Sequence, residues 1–212
     1  MLGSLEKQTY LPDEVIVALS ESSQKSAADM EARYSNYSFP VRIIAFDERQ
    51  FPGQNRNRGA RAAKYDIVVF CDADDEYHPQ KMEITQDVFL KYGPKMFLHN
   101  YKINDPKFDV YDRTNIPLVL SEQLFANTFG QPPKRENSNF IFTDRPAEDR
   151  WVMGSHPTHG YAAVRRDVFD NISYCDLRIA EDLKFCLDIL WEFKSAIYAD
   201  VSLINYCYKK RQ

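Results

Sequence analysis

Four cysteines in 212 residues, none in a CxxC pair, are too few and too scattered for a zinc cluster. Cys71 closes an apolar run and Cys186 lies on an apolar helix stripe, so reduced thiols are expected rather than a disulfide frame. No apolar run approaches the ~18 residues that a membrane span needs. The N-terminus carries no signal-peptide pattern. Together these absences predict a cytoplasmic protein, or a cytosol-facing domain, with no transmembrane segment. Positive charge is not in excess: 27 Lys and Arg stand against 31 Asp and Glu, a net charge of −4, which argues against a nucleic-acid partner. Internal repeats and composition-biased linkers are also missing, so residues 1–212 read as one domain.

What is present is an ordinary folded composition, 44% apolar and 27% charged, with aromatics at 14% that suit either stacking surfaces or a plain core. Elements alternate along the first half. "EVIVAL" (14–19), "VRIIAF" (41–46), "DIVVFC" (66–71) and "KMFLHNYKI" (95–103) read as strands. Between them, "SSQKSAADMEARY" opens on a serine suited to an N-cap, and "GQNRNRGARAAKY" is a basic segment expected to turn helical. "PQKMEITQDVFLKY" is a helix with Pro in its first turn and Met82, Val88 and Phe89 as apolar contacts. Apolar strands alternating with helices predict an α/β fold with a mainly parallel sheet flanked by helices.

The second half is less regular. Residues 129–160 read as a lid-like loop, with a short strand possible in composition at "NFIF". "GYAAVRRDVFDNI" predicts a short strand followed by a helix. "AEDLKFCLDILWEF" (180–193) places Leu183, Cys186, Leu187, Leu190 and Phe193 on one helical stripe. "AIYADVSLINYCY" closes the sequence as strands.

The third strand runs into "DADDE". Like charges this close repel and call for an offsetting cation. In parallel α/β sheets ligands gather at the carboxyl ends of strands. Alternate residues of an extended segment face one way, so Asp72 and Asp74 can address one ligand. Hard carboxylate oxygens suit Mg²⁺ or Mn²⁺, which bind through one or two carboxylates plus substrate phosphates. Asp75, Glu76 and His78 either join that site or cap the helix opening at Pro79, and an acidic capping turn is the competing reading of the whole stretch. Just upstream lie Arg56, Arg58, Arg61 and Lys64, beside Gly53 and Gly59. Arg56 or Arg58, with Arg61, is suited to a diphosphate; a solvated basic helix face is the plainer alternative.

"NRNRGARAAKYDIVVFCDADDEYHPQKME" resembles the donor-site stretch of the family-2 glycosyltransferases, which have the GT-A fold. Arg56, Asn57, Gly59, Ala63, Asp72, Asp74, Asp75 and Pro79 stand at the family's offsets. "SLEKQTYLPDEVIVALSES" and "AEDLKFCLDIL" resemble its opening run and its Glu-Asp helix, so the resemblance spans most of the sequence. Glycan-decorating enzymes of large DNA viruses are one group it brings to mind.

The resemblance implies a metal-dependent transferase that moves a hexosyl or deoxyhexosyl group from a nucleotide diphosphate-sugar, UDP-sugar by default, to an acceptor hydroxyl on a glycan or glycoprotein, with inversion. It implies a donor half over 1–104 and an acceptor half over 105–212. Asp74 would ligate Mn²⁺ or Mg²⁺, with Asp72 near both ribose and metal, and Ala73 between them at the donor. Arg56, Asn57 and Arg61 would line the donor pocket. Asp182 would be the base, with Glu181 as the alternative; acids in a helix's first turn are favoured by the macrodipole in any case. His156, His159 and Trp151 are candidates for acceptor or diphosphate contacts, against plain loop packing.

The sequence also departs from the family. Its opening strand has no counterpart, so that strand either lies outside this sequence or the sheet starts differently. Where the family places a base-binding Asp, this sequence reads Leu19, Ser20, Glu21, so Ser20 or Glu21 would substitute. The abrupt "KKRQ" end fits one module of a longer protein. Three alternatives stand beside this reading. A haloacid-dehalogenase-type phosphatase also uses Asp-x-Asp after an apolar strand, but two strands precede the motif here. A sugar-nucleotide pyrophosphorylase would carry a Gly-rich loop at the first strand. A non-catalytic sugar- or nucleotide-binding module of the same fold is the non-enzymatic alternative.

Overall fold

The computed structural model describes residues 1–129, 161–177 and 180–207. The lid-like loop expected over 129–160, with its "NFIF" strand, therefore lies outside the described residues except for its first position.

After a short helix α1 (Leu2–Leu5), strand β1 (Val15–Leu19) pairs in parallel with β2 (Val41–Ala45), Val15 opposite Val41 through Leu19 opposite Ala45. Helix α2 (Gln24–Arg33) makes the crossover, and the Ser23 hydroxyl caps it by accepting the Ser26 N–H at 3.2 Å. The basic segment is helical, as expected: α3 spans Pro52–Ala62, and the Gln54 side chain accepts the Phe51 N–H at its start. Strand β3 (Ile67–Val69) leads to a two-residue strand β4 (Glu76–Tyr77), then to α4 (Lys81–Tyr92). Gly93 ends α4 in the left-handed conformation, φ 58°, where a side chain would be strained.

Strand β5 (Met96–Ile103) and the eleven-residue β8 (Ala196–Tyr206) form the parallel centre of the larger sheet. Around them β3, β4, β6 (Leu118–Val119) and β7 (Ala163–Arg165) add short antiparallel pairings. The order is β3-β7-β5-β8-β4, with β6 against β8. The two longest ladders are thus parallel, and the antiparallel ones are short and bring in strands of the second half. Helix α5 (Ser121–Phe129) precedes β7, and α6 spans Glu181–Phe193. The segment after β7 is a 3₁₀ turn, Arg166–Asp170, rather than the helix expected.

Period-2 alternation explains the layering. Met96, Leu98, Ala196 and Tyr198 pack on one face with Phe185, Cys186, Ile189 and Leu190 of α6. Phe97, Ile197 and Ala199 pack on the other with Ile84, Val88 and Phe89 of α4. The central pair is covered by helices on both faces, and its strands are correspondingly apolar. Donor and acceptor halves do not form separate layers: β3 and β5 of the first half alternate with β7 and β8 of the second. All four cysteines are free thiols, and Cys186 alone is fully buried.

Among the described residues β1 has β2 as its one partner, and β3 has β7 as its one partner. A cavity of about 500 Å³ is lined by both, Val15–Ala18 from β1 and Ile67–Val69 from β3. Every residue of these two strands is only half-buried.

Candidate active site

The carboxyl end of β3 opens into the acidic turn. Asp72 is half-buried and Asp74 exposed, so both are available to a ligand, whereas Asp75 is fully buried at 0% exposure. The turn is held from within: the Asp75 N–H donates to the Asp72 carbonyl at 3.4 Å, and the Tyr77 hydroxyl donates to the same oxygen at 3.3 Å. Asp75 accepts the Cys207 N–H at 2.8 Å and the Tyr161 hydroxyl. Burial raises the Asp75 pKa above the ordinary carboxylate value, against the lowering by those two donors. His78 belongs to the helix start and not to the site. Its Nδ1 accepts the Gln80 N–H at 2.9 Å, so Nε2 carries the proton and donates to the Asp109 carbonyl at 2.7 Å. Its ring stacks on Tyr111, and burial lowers its pKa. Glu76 lies in β4 and accepts from Asn205 at 3.1 Å.

Arg56 joins this turn to the start of α6. Its guanidinium forks, donating to Asp72 Oδ1 at 2.9 Å and to Glu181 Oε1 at 2.8 Å. Burial opposes the charge, but Asp72 first, and Glu181 with it, outweigh that cost and raise the Arg56 pKa further above its ordinary value. The guanidinium also lies 5.5 Å from the centre of the Tyr174 ring, which stacks on Phe185 at 3.9 Å. Three sequence motifs, separated by up to 125 residues, thus meet at one arginine. Asp182 is half-buried beside Glu181 and accepts the Leu183 N–H at 2.7 Å. Ala180, directly before the pair, is left-handed at φ 63°, a strained conformation for alanine that aims the helix start.

Other expected contacts divide. Ala73 is exposed on the turn and lines the cavity with Arg56 and Asp72. Asn57 faces the Tyr174 backbone. It is 8% exposed, donates to the Tyr174 carbonyl at 2.8 Å and accepts the Tyr174 N–H at 2.9 Å, so both ends of its amide are spent on holding that loop. Arg61 is exposed and bonds the Ser173 hydroxyl at 2.8 Å. Arg58 lies over the Phe46 ring at 3.8 Å. Ser20 and Glu21 end β1 outside the cavity lining, with Glu21 left-handed at φ 52° and its N–H donated to Glu48. Trp151, His156 and His159 lie outside the described residues.

Two further residues shape the site. Tyr174 supplies the wall behind Arg56. Gly53 lets α3 approach it: a Cβ there would meet Tyr174 Cβ at 3.0 Å, Glu181 Cγ at 3.1 Å and the Cys175 carbonyl at 3.2 Å.

Among the described residues no three His, Cys, Asp or Glu side chains are grouped to enclose a metal ion. The acidic turn still fits a hard divalent cation, because Mg²⁺-type ions take one or two carboxylates and fill their remaining positions with water and phosphate oxygens. Such a site is completed by its ligand. No helix among the described residues is long and apolar enough to cross a membrane.

Comparison with known proteins agrees with this geometry. The family described as "Glycosyl transferase family 2" matches residues 1–173. An uncharacterized glycosyltransferase of Haemophilus influenzae is 36% identical over 209 residues, 98% of this chain and 62% of the relative. The uncharacterized glycosyltransferase YwdF of Bacillus subtilis is 24% identical over 205 residues, 92% of this chain and 69% of the relative. The chain thus spans about three fifths of the Haemophilus relative's length. Residues 1–349 of S. aureus TarS, crystallised with UDP-GlcNAc, superpose over 100% of this chain and 55% of that fragment, with TM-score 0.64 and 17% identity. A mycobacterial protein superposes over 99% of this chain and 63% of that protein, with TM-score 0.58 and 16% identity. The fold is GT-A. The curated relatives are bacterial and lend no support to a viral origin.

Proposed function

Because the chain belongs to glycosyl transferase family 2, we propose that it transfers a sugar from a nucleotide diphosphate-sugar to an acceptor hydroxyl, with inversion. The observation that carries this reading is the Arg56 fork, which gathers Asp72 at the strand end and Glu181 at the helix start into one site. A UDP-sugar is the proposed donor, in line with the UDP-GlcNAc and UDP complexes of structurally similar TarS. The acceptor is a glycan or glycoprotein hydroxyl.

Enzymes of this family commonly use divalent metal ions. Asp74, exposed on the turn, and Asp72 beside it would hold Mn²⁺ or Mg²⁺. When bound, the cation neutralises charge on the departing diphosphate as a Lewis acid. The protein's own groups do the rest. Arg56 keeps Asp72 and Glu181 from repelling each other and presents positive charge at the donor. Asp182, half-buried at the start of α6, is the proposed base, with Glu181, paired to Arg56, as the alternative. The acceptor hydroxyl gives its proton to Asp182 as its oxygen attacks the anomeric carbon, and the nucleoside diphosphate departs with the electrons of the broken C–O bond.

Calorimetric titration with UDP, with and without Mn²⁺, tests the donor site. Binding should require the metal and be lost in Asp74→Ala. Weak metal-independent binding, unchanged in the variant, would sink the reading and leave the turn as a helix cap. Incubation with UDP-sugars then separates enzyme from binding module: a transferase releases UDP in the presence of metal, a binding module does not.

A further inference from the structure

Behind the acidic turn lies a buried cation that the reaction above does not use. Lys81, in the first turn of α4, is 0% exposed. Its Nζ lies 3.0 Å from His99 Nε2 and 3.4 Å from the Tyr161 carbonyl, with the Tyr77 ring centre at 4.9 Å. The histidine tautomer is fixed by its other contact. His99 Nδ1 lies 2.8 Å from the Asn100 carbonyl, which can only accept, so Nδ1 carries the proton and Nε2 receives one from the ammonium. Tyr161 turns its hydroxyl onto Asp75, whose other oxygen takes the Cys207 N–H. A continuous path therefore runs from His99 on β5, through Lys81 and Tyr161, to Asp75 inside the turn. Its members come from β5, α4, the residues before β7 and the turn between β3 and β4, with Cys207 just past β8 on Asp75's other oxygen.

We propose that Lys81 and Tyr161 are positioning residues for donor binding: Lys81 anchors Tyr161, Tyr161 clamps Asp75, and the clamped turn presents Asp72 and Asp74 to the metal and diphosphate. This rests on the donor-site reading above. Asp75 is pinned inward so that its two neighbours face outward, and the ammonium below supplies charge to offset three carboxylates in four residues before any ligand arrives. A buried lysine is costly where leucine would pack, and a fully connected polar network is a device for fixing one geometry rather than for adding stability.

The test uses the whole chain with Tyr161→Phe, which keeps the ring and removes only the hydroxyl, and with Lys81→Met as second variant. Two readouts are taken. Hydrogen exchange at amides 72–76 in ligand-free protein reports the turn alone; calorimetry with Mn²⁺ and UDP reports the donor site. Groups that orient metal ligands from behind are typically worth 10–100-fold in affinity, so Tyr161→Phe is expected to weaken Mn²⁺-dependent UDP binding at least about tenfold. It should also speed exchange in the turn, while exchange across β5 and β8 stays unchanged. Turn exchange equal to wild type overturns the clamp whatever the affinity does. A loosened turn with affinity within twofold of wild type overturns the positioning role. Wild-type protein that binds no UDP with Mn²⁺, though its turn loosens on substitution, overturns the donor-site reading and with it this role, while the clamp itself stands. If Lys81→Met unfolds, Tyr161→Phe alone decides.

Discussion

Lys81 ties the protein's stability to pH in a direction that can be worked out. Burial lowers its pKa from 10.5 to about 8, against the raising by Cys71, Asp72 and Asp75, so it is charged at neutral pH in folded and unfolded chains alike. Between about 8 and 10.5 the unfolded chain holds a proton that the native state has released, and stability attributable to this residue rises with pH. The cost of burying the charge is fully felt below the native value and relieved above it. Urea unfolding with and without Lys81→Met at pH 7 and pH 10, both in a Cys71→Ala background that removes the thiol coupled to Lys81, isolates the residue. The stability difference should move by about 2 kcal/mol in favour of the chain that keeps Lys81 on going to pH 10. An unchanged difference would mean that Lys81 is hydrated in solution. Arg56 behaves differently: its pKa is raised above its ordinary value, so the guanidinium stays charged throughout this range.

At the scale of elements, α3 carries two glycines with opposite expectations. Gly59 has open space around its Cβ position, so Gly59→Ala should stabilise by up to about 1 kcal/mol, the ordinary gain of alanine in a helix. Gly53 is pressed against Tyr174 and Cys175, where an added methyl forces backbone to shift; Gly53→Ala should destabilise by about 1–2 kcal/mol and disturb Glu181. Melting temperatures of the two variants moving in the same direction would contradict this. Much of this level is legible in the sequence, for a physical reason. Strands β1 and β3 are unbroken apolar runs, β2 is interrupted only by Arg42, β5 opens on three apolar residues, and α4 and α6 repeat apolar residues at helical spacing. The two-residue strands β4 and β6 are too short to leave a pattern, and each is set by its pairing with β8. Which motif residues face the site was half legible. Asn57 sits in the family motif, yet its orientation is decided by Tyr174, 117 residues away, and no local pattern reports that. Lys81 did leave a trace: it falls on the helix face of Ile84 and Val88, a break in pattern that marks a buried polar role.

Across the whole molecule, residues from both sequence halves interleave in one sheet, so a cut between residues 104 and 105 would not yield two folding units. The smaller sheet stands apart from it. Strands β1 and β3 line the same cavity, are apolar, and among the described residues each has a single paired neighbour. Natural proteins blunt such edges with charge, proline or a bulge, and "VIVAL" and "IVV" carry none of these. In colloidal terms the surface is sticky in one place. Light scattering across a concentration series should show self-association at concentrations on the order of 100 μM, and Ile16→Lys should suppress it without unfolding the chain. A wild-type protein monodisperse throughout would show that something already covers those edges. Otherwise the solubility of a whole 212-residue chain is governed by a few backbone amides that its net charge of −4 does too little to keep apart.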